Sequence, residues 1–153
     1  QEAFDLLFKS VVYTTSLIVP KMQKNNWGRI INVTSVSVKE PLNYLVLSNS
    51  IRSAVVAWAK SLSVDVGKDG VTVNSILTGY FDTERIKDLN KEKSKSLNIS
   101  EDEVLEKMKS LVPINRLGKT YEYGYLVSFL SSDKAAYING ASIPIDGGLL
   151  KSY

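Results

Sequence analysis

The sequence predicts an α/β domain in which a parallel sheet carries helices on both faces. Three observations lead there. Short β-branched runs alternate with longer helical runs in the order α-β-α-β-(αα)-α-β, the pattern of strands joined through crossover helices. Two of the helical runs, Phe4–Met22 and Asn43–Val66, are apolar on nearly every side and so need cover on more than one face. The chain has 153 residues, 44% of them apolar and 23% charged, enough for a single domain with its own core.

Each element follows from local chemistry. Phe4, Leu7, Phe8, Val11, Val12, Leu17 and Ile18 recur at helical spacing, and "NNWGR" then makes a turn. "RIINVTSV", Arg29–Val36, is β-branched and apolar, which predicts a buried strand. Pro41-Leu42-Asn43 opens the long helix, with Asn43 as its N-cap, and "GKDG" closes it. Val71–Leu77 is the second strand, and Thr78-Gly79 turns out of it. Residues 84–112 read as two polar helices, the second capped by Ser100 with Glu103 and stopped before Pro113. Thr120–Leu130 is a further helix, "YING" a turn, and Ala141–Ile145 the last strand before Asp146-Gly147-Gly148. Ligands bind at the carboxyl ends of such strands, here Thr34-Ser35, Thr78-Gly79 and Pro144–Asp146.

Composition excludes several chemistries. No cysteine is present, so disulfides and thiolate metal sites are absent, which fits a reducing, cytoplasmic setting. No histidine is present, which removes Ser-His-Asp and Cys-His catalysis and imidazole metal sites. No metal is expected. Acid-base work falls to Tyr, Lys, Asp, Glu or water. The net charge of +3, from 19 basic and 16 acidic residues, is too small and scattered for a nucleic-acid surface. No apolar run approaches the roughly 20 residues of a membrane span, and no signal peptide is visible. The chain opens at Gln1 inside a helical pattern, so it is expected to be the later part of a longer chain.

With these elements in place, "GRIINVTSVS", "GVTVNSILTGYFDTERI" and "INRLG…VSFLSSDKAAYINGASIPIDGG" together resemble the second half of a short-chain dehydrogenase/reductase, specifically a 3-oxoacyl-(acyl carrier protein)-reductase-like member. The resemblance runs from about Phe4 to Gly148, and its most specific block is Arg116, Gly118, Ser131, Ser132, Asp133, Gly140, Asp146, Gly147 and Gly148, in order. It implies a Rossmann-type doubly wound parallel sheet, of which this chain holds the second half as one domain, 1–153. It implies NAD or NADP as cofactor and hydride exchange between a carbonyl and a hydroxyl of a small-molecule substrate. It also implies a homodimer or homotetramer built through the two apolar helices, and a substrate lid at residues 84–112. The family's glycine-rich phosphate loop has no match here, and the residues that select NAD or NADP follow a strand this chain lacks.

The catalytic set that the resemblance carries over is altered. Ser35 fills the family's serine position. The Tyr position falls on Ser48, the Lys position on Arg52 and the Asn position on Leu7. A serine hydroxyl is a far weaker acid than a phenol of pKa about 10. Arg52 holds its proton, so it stabilises an oxyanion without relaying a proton. Tyr44, Ser48 and Arg52 stand at i, i+4 and i+8, which share one helix face, so Tyr44 is a candidate for the displaced acid; the alternative is an apolar anchor at the helix start. Thr78, Gly79, Phe81 and Thr83 stand in the family's Pro-Gly-x-x-x-Thr segment, which implies contact with the nicotinamide, with Thr34 and Arg52 as further cofactor ligands. Three functions are therefore weighed: a hydride-transferring oxidoreductase with a modified site, a catalytically impaired member serving as a nucleotide-binding or scaffolding subunit, and a hydrolase or lyase on the same fold, which the absence of His and Cys disfavours.

Overall fold

A computed structural model describes residues 1–43 and 45–152. The elements are α1 (Glu2–Lys24), β1 (Gly28–Ser35), α2 (Val46–Val66), β2 (Val71–Thr78), α3 (Glu84–Leu97), α4 (Glu101–Ser110), α5 (Thr120–Ser131) and β3 (Ser142–Ile145). The three strands form one parallel sheet in the order β1-β2-β3. This is part of a Rossmann-like sheet, as the alternation of elements predicts.

Successive residues of β2 point to opposite faces, and the core divides accordingly. Val71 and Val73 pack with Val19 of α1 and Ala59 and Val66 of α2. On the other face Ile76 packs with Leu130 of α5 and Ala135. Two side-chain amides fasten the connection into β3. Asn139 accepts from Val73 N at 2.9 Å and donates to Ser63 O at 2.9 Å. Asn74 donates to Ile138 O at 2.8 Å and accepts from Ala141 N at 2.9 Å.

Several boundaries differ from expectation for local reasons. β1 ends at Ser35, because the Ser35 hydroxyl accepts from Ser37 N at 3.1 Å and turns Val36–Val38 into a single 3₁₀ turn. The long helix starts at Val46, so Asn43 is not its N-cap. The chain turns first, with Leu45 N bonded to Leu42 O, and the Asn49 side chain holds that same carbonyl at 2.9 Å. The helical face therefore carries Ser48 and Arg52, and Tyr44 lies outside the described residues. The capping box at Ser100 and Glu103 forms as read.

The apolar helices are not buried all round. In α1 the buried residues are Thr15 and Val19, while Tyr13 and Leu17 are about two-thirds exposed, at 65% and 64%. Val46, Leu47 and Val64 of α2 are open as well. The expectation that no segment approaches a membrane span also needs correction. Glu2–Lys24 is a single 23-residue helix with a window of mean hydropathy 1.3, long and apolar enough by length and composition to cross a bilayer. Asp5, Lys9, Ser10 and Thr14–Ser16 break the helix into short apolar runs, which is why no contiguous run is long although the window average is high. The stripe bearing Val19 and Met22 is occupied by the sheet and α2, so the open side is what needs a partner.

Candidate active site

The parallel register brings three strand ends into one row. Ser35 pairs with Thr78, and Thr78 with Ile145. Residues in register share a face, so Ser35 and Thr78 point to the α5 side. Each predicted residue has a definite place around this row. The Thr34 hydroxyl is buried and donates to Ile76 O at 2.9 Å, which ties the two strands together. Ser35 is half-buried, and its Oγ caps the following turn while keeping a proton to donate. Leu7 sits in a widened π turn, Asp5–Lys9, inside α1. Leu7 and Leu45–Ser48 line one open groove of about 390 Å³, so the residues that the resemblance sets in the Asn and Tyr positions face a common space. Arg52 donates through Nε to Ser48 Oγ at 3.3 Å and through Nη1 to Val33 O at 3.4 Å.

The segment after β2 is clamped from three sides. Gly79 N donates to Ile145 O at 3.0 Å, and a Cβ on Gly79 would stand 2.6 Å from Asp146 Cα, so only glycine fits this close approach. Gly118 lies so near the Phe81 ring that a Cβ there would be 2.6 Å from it. Gly118 also takes up the neighbouring backbone: its N–H donates to Tyr80 O at 2.9 Å and its carbonyl accepts from Asp82 N at 2.9 Å. Among the described residues, the N–H and C=O of Phe81 itself keep no partner. They present one donor and one acceptor at the carboxyl ends of the strands, a match for a carboxamide. Thr83 N-caps α3, its hydroxyl accepting from Ile86 N at 3.4 Å.

Four residues near this segment were not read from the sequence as having a role in it: Tyr123, Tyr80, Glu122 and Gly118's partner Asp82. The Tyr123 hydroxyl lies 3.1 Å from Thr78 Oγ1, and its ring meets Phe81 edge-on at 5.3 Å. Burial pushes the Tyr123 phenol up, opposed by the Thr78 hydrogen bond and by the charge of Arg52. Tyr80 is half-buried, and burial pushes its phenol up too. Tyr123 stands 45 residues after Thr78, and only the packing of α5 over the strand ends brings them together. The Arg116 fork grips Glu122 at 2.8 and 2.7 Å, and Lys119 N donates to Glu122 at 2.7 Å. These bonds hold the Glu122 carboxyl at about 2. Asp146 is a turn former, accepting from Gly148 N and Leu150 N. Ser132 and Asp133 sit at the amino end of the sheet, where Asp133 meets Trp27 and Arg29. Much of the most specific sequence block is thus architectural.

The family described as enoyl-(acyl carrier protein) reductase matches residues 1–150. Nodulation protein G of Azospirillum brasilense is 33% identical over 140 residues, covering 92% of this chain and 52% of that protein. The crystal structure of a short chain dehydrogenase family protein from Francisella tularensis superposes with a TM-score of 0.86 at 28% identity, over 95% of this chain and 60% of that one. L-sorbose reductase from Gluconobacter frateurii, complexed with NADPH and L-sorbose, gives a TM-score of 0.92 at 29% identity, over 99% of this chain and 58% of that one. The chain spans about half the length of the curated relatives it matches.

Proposed function

The chain belongs to the short-chain dehydrogenase/reductase family, and on that premise we propose that it is the strand-end half of an oxidoreductase that uses NADP or NAD to exchange hydride between a carbonyl and a hydroxyl on a small molecule. The observation that carries the reading is the free N–H and C=O of Phe81, held in place by Gly118 and lying past the row formed by Ser35 and Thr78. A nicotinamide cofactor supplies the hydride. Thr78, Gly79 and Phe81 would hold its carboxamide edge. Thr83 and the α3 N-terminus offer a hydroxyl and a partial positive charge to an anionic group. A solved relative that is complexed with NADPH supports this choice of cofactor.

Catalysis by this chain's residues divides into two tasks. The Ser35 hydroxyl donates to the substrate oxygen, and the Arg52 guanidinium, already bonded to Ser48, stabilises negative charge developing there. Arg52 cannot release its proton. Proton supply therefore falls to Tyr44 or to water. Helices α3 and α4 would close over the substrate and exclude water. The open faces of α1 and α2 would meet a second copy of the chain, giving a homodimer or homotetramer in the cytoplasm.

One observation favours the alternative of a non-catalytic nucleotide-binding or scaffolding subunit. The guanidinium of Arg52 is engaged with Ser48 and Val33 within the chain, where a titratable lysine would relay protons. The discriminating experiment follows cofactor fluorescence and absorbance on the full-length protein, wild type beside Tyr44→Phe, with NADPH and NADH against ketones, sugars and acyl thioesters. Turnover by wild type that falls about a hundredfold in the variant, within the range for general acids, makes Tyr44 the acid. Equal turnover in both leaves the proton to water. Binding without turnover supports the subunit reading.

A further inference from the structure

An opening of about 270 Å³ beside α3 and α4 shares no lining residue with the space at the strand ends. Its floor holds Leu117 and Asn90, 7% and 5% exposed, and the half-buried Ile86 and Leu105 continue it outward. Three exposed carboxylates stand at its rim, Asp82, Glu101 and Asp102. Lys87 also lines it, but Glu84 holds that ammonium at 2.7 Å. Asp82 meets Lys119 at 3.4 Å, whereas neither Glu101 nor Asp102 forms an ion pair among the described residues. The dipole of α4 accounts for acids in its first turn. It does not account for Asn90, whose Oδ1 is buried without a hydrogen-bond partner among the described residues. A buried amide carbonyl left without a donor carries the cost of its lost water, and an N–H brought by a ligand removes that cost. The complementary ligand is therefore a donor and a cation with an apolar middle. An ammonium group on a hydrocarbon chain is all three, since it donates and never accepts. Among the described residues no group of three acidic side chains is arranged to hold a metal ion, so separate ammonium groups match these acceptors where a single ion does not.

We propose that this opening binds a short primary diamine. One ammonium donates to Asn90 Oδ1, the methylenes lie on Ile86, Leu105 and Leu117, and the second ammonium is held by Glu101 and Asp102. The site stands apart from the strand ends, so the proposal does not depend on the hydride-transfer reading.

Calorimetric titration of the full-length protein with pentane-1,5-diamine, pentan-1-amine and pentane-1,5-diol tests the site without turnover. Wild type is expected to bind the diamine at least about tenfold tighter than the diol, the scale of one hydrogen bond to a charged group. Asn90→Leu keeps the branched shape and deletes the acceptor, and is expected to weaken both amines at least about tenfold. Glu101→Gln with Asp102→Asn is expected to weaken the diamine alone, by about fivefold, the scale of an exposed ion pair. Asp88→Asn with Glu92→Gln removes the same charge from exposed positions of α3 outside the opening and is expected to change nothing. The two acid-removing variants leave the buried floor intact, so they decide the matter even where Asn90→Leu disturbs the fold. Equal binding of diamine and diol by wild type, unchanged amine binding in a folded Asn90→Leu, or equal losses in the two acid-removing variants overturns the proposal. Displacement of the diamine by an equal concentration of magnesium chloride also overturns it, because the opening would then be an ion site.

Discussion

Thr78 stands where the resembling family has proline, and Tyr123 supplies what that exchange gives up. Proline fixes its own φ; threonine does not, but its hydroxyl finds the Tyr123 phenol at 3.1 Å. The same ring braces Phe81, whose backbone offers the free donor and acceptor. Tyr123→Phe keeps the ring and deletes the hydroxyl. It is expected to lower stability by about 0.5–1.5 kcal/mol in a denaturant titration. It is also expected to raise the KM for cofactor more than it lowers kcat, because the segment it holds is the one proposed to bind cofactor. An unchanged KM would separate Tyr123 from that segment. Ser35, Ser48, Arg52 and Leu7 came into view one by one only through the family resemblance, which assigns each its position along the chain. What spacing does not carry is a partner chosen by packing, which is why Tyr123 and Tyr80 emerge only in three dimensions.

At the scale of elements, α5 is fixed by charge at its start. The Arg116 fork and Lys119 N–H hold Glu122 ionised down to about 2, below the ordinary 4.5. A depressed carboxyl contributes stability above its unfolded value and loses it as pH falls toward the folded one. The contribution of Glu122 is therefore constant above about pH 5 and declines between 4.5 and about 2. Chemical denaturation across that window is expected to show a flatter acid limb for Glu122→Gln than for wild type. Helices α1 and α2 raise a different question, since their open faces leave Leu17 and Val64 in solvent. A helix apolar all round requires burial, and a second copy of the chain is the partner proposed for these faces. Leu17→Glu is expected to weaken self-association of the full-length protein at least about tenfold in sedimentation, the effect of losing a central interface contact. Wild type that sediments as a monomer would remove this account of the apolar faces. The helix starts show the limits of reading by local pattern. Asn43 had a cap's chemistry, but Asn49 reaches back to Leu42 and the helix waits until Val46. By contrast, Ser100 and Glu103 formed as read, because both partners of a capping box lie within one turn.

For the molecule as a whole, alternation of strand and helix was enough to predict the parallel sheet, and β-branched runs placed its strands within a residue or two. Register was not legible, yet register is what aligns Ser35, Thr78 and Ile145 in one row. Whether that row performs hydride transfer, despite Leu7, Ser48 and Arg52, is the central question. The most direct measurement is NADPH consumption by the full-length protein with carbonyl substrates, wild type beside Ser35→Ala. The account predicts turnover by wild type and a loss of about a hundredfold in Ser35→Ala, the scale of removing one donor to a developing oxyanion. NADPH that binds wild type but is never consumed, or equal rates in the two proteins, would contradict it.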